Sequence, residues 1–287
     1  NRTLHRPLTP HPALPHPPQP EKPGDKMFNG KAMPYYGRWS YTYEIAAAKG
    51  AIAAVSGHET IPAAYPWSVV ENSNSKENFV IDNPDKNIGT VAVRSWITLE
   101  TAKKLFAASG NNFDDLKQAA LKKDFRPVSL GGTADFAIRN KIHQFKSHNV
   151  VGMLAGSDPK KKDEVVIYSA HWDHLGRDPK LKGDQIYNGA LDNASGVASV
   201  LEIAQAFTKL PQPPPRSILF LATTAEEAGL LGAKYYAENP LYPLDHTLAD
   251  INIDGVNAWG KTRDIEDISG GNSTLDEMLA QSAQSHG

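Results

Sequence analysis

From position 149 onward, short apolar runs alternate with stretches of helical period, and that alternation predicts the architecture. Strands are expected over 149–154, 165–170, 217–222 and 251–254, and the run 165–168 is β-branched and aromatic, as in a strand covered on both faces. Between them, Val197, Val200, Leu201, Ala204 and Phe207 share one face of a helix expected over 194–207, and a second helix is expected over 226–237. Pro211, Pro213, Pro214 and Pro215 stiffen the return from the first helix to the next strand. A β–α–β rhythm of this kind builds a largely parallel sheet with helices packed on it.

The pattern before 149 is less regular. A helix over 44–49, closed by Gly50, leads into a strand over 51–55, and another strand is expected over 88–93. Thr98 reads as the N-cap of a helix that carries Leu99, Ala102, Leu105 and Phe106 on one face until Gly110 stops it; a short helix over 114–121 follows. Apolar and charged residues alternate through 134–148, which predicts an antiparallel edge region, and 158–163 reads as a charged turn. A last helix is expected over 275–283. Pro7, Pro10, Pro12, Pro15, Pro17, Pro18, Pro20 and Pro23 dominate residues 1–25, so this tail is expected to be extended or disordered. His5, His11 and His16 in it read as parts of a solvated linker rather than a metal-binding tract.

Composition narrows the chemistry. With 287 residues and 40% hydrophobic content, the chain can bury the core of one large domain or two modest ones. A net charge of −2, with Lys and Arg scattered, argues against nucleic acid and against a polybasic membrane patch. No apolar run approaches the roughly 18 residues of a membrane span. The chain opens at Asn1 without a recognisable signal segment. Its lack of cysteine removes disulfides, thiolate zinc sites and cysteine nucleophiles together, leaving His, Asp and Glu as metal ligands.

Those residue types gather at one level of the expected sheet. His171 follows one strand, Asp192 precedes a helix, Glu226 and Glu227 follow the next strand, and Asp254 ends the last. In open α/β sheets the crevice beyond the carboxyl ends of the strands is where ligands bind. Taken singly, each residue has an ordinary structural role, such as a helix cap for Asp192; their coincidence at one crevice carries the metal reading. Carboxylates collected in a partly dry cleft cost several kcal/mol each if unpaired, and Arg177, Lys182 and Arg216 are badly placed to neutralise them. A divalent cation relieves that cost, and a thiol-free His/Asp/Glu set suits catalytic zinc. More than three ligands, with carboxylates able to bridge, points to two ions. Glu226 and Glu227 are adjacent and so point in different directions: one can bind metal while the other holds a water. A carboxylate beside an activated water can take its proton and deliver it to a leaving amine, as peptide hydrolysis requires. Asp173 stands two residues after His171, placed to accept the other N–H of the imidazole. His174 is expected in a supporting or loop role, and Ser195 lies in a first helical turn without the strand–turn context of a nucleophile elbow.

At these residues the sequence resembles the zinc-dependent M28-type metallopeptidases, which include bacterial aminopeptidases and a glutamate carboxypeptidase branch. The resemblance is carried in order by 169–174 (Ser-Ala-His-Trp-Asp-His), 189–196 (Gly-Ala-Leu-Asp-Asn-Ala-Ser-Gly), 224–232 and 252–254. It implies that Asp192 bridges two zinc ions, that His171 and Asp254 complete one and Glu227 serves the other, that Glu226 is the general base, and that Asp173 supports the histidine. It implies a three-layer α/β zinc-exopeptidase fold over 131–287. Residues 27–130, with Tyr65-Pro66-Trp67-Ser68 among them, resemble part of the protease-associated domain inserted in this family, after a Pro-rich tail over 1–26. The implied function is that of an aminopeptidase acting on peptides, exported to the periplasm or secreted; alternatives are a carboxypeptidase or dipeptidase of the same fold, or a receptor-like binding protein that does no chemistry. A further histidine is expected on the Glu227 side, and only His286 lies beyond His246. His286 reads as a terminal residue, so the expectation is a fragment that lacks this ligand, holds the His171–Asp254 zinc better than its neighbour, and has little peptidase activity.

Overall fold

The computed structural model of the protein describes residues 2–7, 38–122, 124–268 and 273–286. In chain order the elements are β1 (Arg2–Pro7), α1 (Trp39–Ala48), β2 (Ala53–His58), α2 (Thr60–Ala63), α3 (Trp67–Asn74), β3 (Val93–Thr98), α4 (Leu99–Ala108), α5 (Phe113–Ala119), β4 (Thr133–Ile138) and β5 (Val150–Leu154). They continue with β6 (Val165–His171), the short pair β7 (Gly176–Arg177) and β8 (Ile186–Tyr187), α6 (Ser195–Thr208), β9 (Ser217–Thr223), α7 (Leu231–Glu238), β10 (Thr247–Asn252) and α8 (Leu275–His286). The chain divides into two compact units, one of 1–77, 82–142 and 266–287, the other of 78–81 and 143–265.

The second unit is built on a four-stranded sheet of order β10-β6-β9-β5. β10, β6 and β9 run parallel, and β5 pairs antiparallel with β9. Register decides which side chains share a face: Ile167 stands beside Leu219, Tyr168 beside Phe220 and Ser169 beside Leu221. One face carries Val165, Ile167, Leu219 and Leu221, packed with Tyr236 of α7 and flanked by Val151 and Tyr242. On the opposite face the Tyr168, Phe220 and Phe207 rings meet at centroid distances of 5.9–6.3 Å, Phe207 coming from α6. A helix therefore covers each face, giving the three α/β layers expected, and strands buried on both sides account for the unbroken apolar runs. Gly156 and Gly232 are required by close approach: a Cβ on Gly156 would stand 2.5 Å from the Pro215 carbonyl, and one on Gly232 would collide with the backbone of Thr224.

The first unit contains the parallel pair β2–β3 and the antiparallel pair β1–β4. Tyr43 of α1 is buried and donates its hydroxyl to the Ser95 carbonyl at 3.0 Å, while Trp39 packs edge-on against Tyr43 and Trp96. Thr98 caps α4 by accepting from the Thr101 amide at 3.2 Å, and Gly110 takes the left-handed φ of 74° that ends it.

Three expectations are corrected, and one segment gains a partner. The strand placed at 88–93 forms at Val93–Thr98, because Lys86 and Asn87 adopt φ of 54° and 57° and turn the chain; Ile88 is left on the surface. The helix placed at 226–237 begins only at Leu231, since 225–230 is a turn with positive φ at Ala225, Gly229 and Leu230. Of 134–148, only the segment up to Ile138 is strand. In the proline-rich tail, Arg2–Pro7 pairs with β4 through residues 133–138, a partner the sequence did not suggest; 8–26 lie outside the described residues.

Candidate metal centre

The carboxyl ends of β6, β9 and β10 bring the expected residues together. His171 is the last residue of β6 and 2% exposed. Its Nδ1 lies 3.0 Å from the Asp173 carbonyl oxygen, to which it donates. That bond fixes the tautomer and leaves Nε2 as a lone pair, yet Nε2 faces Oδ1 of Asp192 at 3.0 Å and Oδ1 of Asp254 at 3.2 Å. Three acceptors converging on one point call for a proton or a cation between them.

A second group stands beside the first. Nδ1 of His174 lies 2.6 Å from Oε1 of Glu227 and 3.9 Å from Oδ2 of Asp192. His171, Asp192 and Asp254 form one set of possible ligands, and His174, Asp192 and Glu227 another, each with its ligand atoms within 4.8 Å of one another. Asp192 belongs to both, with one oxygen toward each imidazole. His174 was expected only in support, and nothing in its local sequence separated it from an ordinary loop residue.

The loops owe their positions to buried polar clamps. Asn193, 1% exposed, donates to the Ile253 carbonyl at 2.9 Å, and its Oδ1 accepts from the amides of Gly196 and Gly255, each at 3.0 Å. One side chain thus ties the segment holding Asp192 to the segment holding Asp254. Gly196 has no room for a side chain, since a Cβ would run into Asn193 and stand 2.5 Å from the Ile253 carbonyl. For Asn193 itself the sequence had suggested nothing beyond a share, with Asp192, in a helix cap. Ser195, as expected, serves the backbone, donating to the Leu191 carbonyl at 2.6 Å.

The role expected of Asp173 needs correction in its geometry. Its backbone carbonyl is what meets His171, and its carboxylate stands 3.8 Å from Nδ1. The carboxylate instead accepts from the amides of Glu226 at 3.0 Å and Glu227 at 3.4 Å. Asp173 is a positioning residue for both glutamates, because the 225–230 turn exposes two amides where a helix start was expected.

Glu226 stands apart from both ligand sets, its Oε2 4.0 Å from Nε2 of His171. Burial pushes its carboxyl above the ordinary value; His171 pulls it down, while the charges of Asp254, Glu227 and Asp173 push it up again. For His171, burial acts downward, but Glu226, the Asp173 carbonyl and Asp254 together hold the imidazole above its ordinary range. Arg177 and Arg216 take no part: Arg177 bonds Gln185, and Arg216 pairs with Glu164 at 2.6 Å.

Imidazole nitrogens and carboxylate oxygens without thiol are the donor set of a catalytic divalent-cation centre, and the converging acceptors fit one. The class so defined is the α/β proteins with a metal centre at the carboxyl edge of a parallel sheet. Residues 149–287 match Peptidase family M28. The chain is 37% identical over 195 residues to a vacuolar membrane protease of Pyricularia oryzae, a match covering 60% of this chain and 19% of that one. It is 33% identical over 129 residues to aminopeptidase NAALADL1 of Mus musculus, covering 43% and 16%. The chain thus spans less than a quarter of the length of these relatives. Among solved structures, an aminopeptidase from Aneurinibacillus sp. strain AM-1 matches at 23% identity and a TM-score of 0.39, covering 77% of this chain and 44% of that one.

Proposed function

We propose that the protein is a metal-dependent exopeptidase, an aminopeptidase by preference, with a two-ion centre and Glu226 as general base. The observation that carries this reading is the single carboxylate of Asp192 shared between two His/Asp/Glu sets, with an unliganded, protonatable Glu226 at their edge. His171, Asp192, Glu227 and Asp254 would hold the zinc. When bound, the ions supply positive charge that makes a water acidic and polarises the scissile carbonyl.

The remaining work falls to this chain's side chains. Glu226 takes a proton from the attacking water on Oε2 and returns it to the departing amine, for which an elevated carboxyl pKa is suited. Asp173 holds the Glu226 and Glu227 amides, so that neither carboxylate has to be ordered during the reaction. The aminopeptidase preference rests on the resemblance of the motifs and on the name of the mouse relative, which concerns that protein. The same resemblance suggests that residues 27–130 are part of a protease-associated domain, and that the protein is exported.

Glu226→Gln tests the assignment. In the complete protein the variant should keep its zinc content and lose aminoacyl-anilide hydrolysis by about 100-fold or more, the usual weight of general acid–base catalysis. Near-normal turnover would remove Glu226 from the mechanism, whereas Glu227→Gln should lower the metal content itself. Hydrolysis of N-blocked peptides with a free C-terminus, and not of free-amino substrates, would favour the carboxypeptidase alternative.

A further inference from the structure

We infer that His174 is a metal ligand, its Nδ1 completing with Glu227 and Asp192 the second cation position of the cleft. The inference rests on the two-ion reading above and adds a residue to which the motif resemblance gives no such role. Nδ1 of His174 and Oε1 of Glu227 are both sealed from solvent and both lack a hydrogen-bond partner. They stand 2.6 Å apart, yet the geometry between them is not that of an N–H donating to a carboxylate. Two buried polar atoms so close and unbonded are costly unless something else satisfies both. A cation beside them, reached also by Oδ2 of Asp192, does so for all three.

The surroundings of His174 are built around its ring. Gly189 faces it in the left-handed region with φ 66°, and a Cβ there would stand 2.9 Å from His174 Cβ and 3.1 Å from its Cγ. Tyr187 of β8 lies against the ring at a near-perpendicular 73°, with centroids 6.4 Å apart. A loop histidine free to swing needs neither. The two oxygens of Asp192 also divide cleanly: Oδ1 faces His171 and Oδ2 faces His174, so each cation position acquires one imidazole.

The test is cobalt(II) titration of the metal-free 287-residue chain, followed by calorimetry and by visible absorption, with far-UV circular dichroism to establish that each variant is folded. The unaltered protein should bind two ions. His174→Ala should keep one with affinity within a few-fold and weaken the other by more than about 100-fold, beyond the roughly 10–100-fold cost of losing an outer partner of a ligand. His174→Asp, which places an anionic oxygen near the lost nitrogen, should restore the second ion with a changed absorption spectrum. Two ions bound by His174→Ala with an unchanged spectrum would overturn the inference and leave the two-ion reading standing. Equal weakening of both ions by His174→Ala would also overturn it, marking a general structural role. Fewer than two ions in the unaltered protein would refute the two-ion reading itself.

Discussion

A single carboxylate, that of Asp173, shows how much of this site depends on residues outside both sets of possible ligands. It accepts from two consecutive amides of the 225–230 turn, and such charge-assisted bonds contribute about 1.5–3 kcal/mol each when buried. Asp173→Ala should therefore destabilise the protein by about 2–5 kcal/mol and lower kcat more than zinc affinity. Chemical denaturation and metal titration of the same variant check both halves. Were zinc loss the main effect, the carboxylate would be serving His171 after all. Asp192→Asn should by contrast weaken every ion in the cleft together, whereas a capping role alone predicts about 0.5–2 kcal/mol of stability and unchanged metal.

Among the elements, β6, β9 and α6 were legible because burial on both faces and a helical stripe leave clear marks in the residue pattern. His171, Asp192, Glu226, Glu227 and Asp254 were legible because they recur at the same end of successive elements. What escaped was set by backbone geometry. The 225–230 turn depends on left-handed conformations at Ala225 and Leu230, residues that rarely adopt them, so the helix was expected five residues early. Asn193 looked like a cap because its three bonds lead to residues 253, 255 and 196, and two of those partners are distant in sequence. Gly196→Ala tests that clamp. The added methyl meets Asn193 and the Ile253 carbonyl, and should cost about 1–3 kcal/mol in unfolding free energy while reducing zinc affinity, although Gly196 bears no ligand atom. Unaltered zinc affinity would mean that the Asp192 and Asp254 segments hold their places without the clamp.

For the whole molecule, the raised pKa values of His171 and Glu226 act in one direction on metal-free stability. A group whose pKa is higher folded than unfolded contributes stability below its unfolded value, and that contribution is lost as pH rises through its folded value. The metal-free protein should therefore lose stability twice: first from the ordinary carboxyl range through the raised Glu226 value, then from the ordinary imidazole range through the raised His171 value. Glu226→Gln should abolish the first loss and shrink the second, because the Glu226 charge is one of the groups that raise His171. Zinc should oppose the second, since it binds deprotonated imidazole and its affinity rises with pH over the same range. Melting temperatures against pH, with and without zinc, measure all of this, and a metal-free protein that grew steadily more stable toward neutral pH would contradict it.

The Asn193 clamp has a kinetic consequence. Because Asn193 makes all three of its bonds to the protein's own backbone, and Asp173 likewise holds two amides, the cleft keeps its form from outside the ion positions. It behaves as a mould made before casting rather than one shaped by the cast. An ion should then enter and leave without the chain having to unfold. A chelator should strip the protein reversibly, and added zinc should restore it within the time of mixing, with no denaturant or chaperone. Hydrogen exchange at the amides of Gly196, Gly255 and Glu226 should be nearly as slow in the stripped protein as in the loaded one.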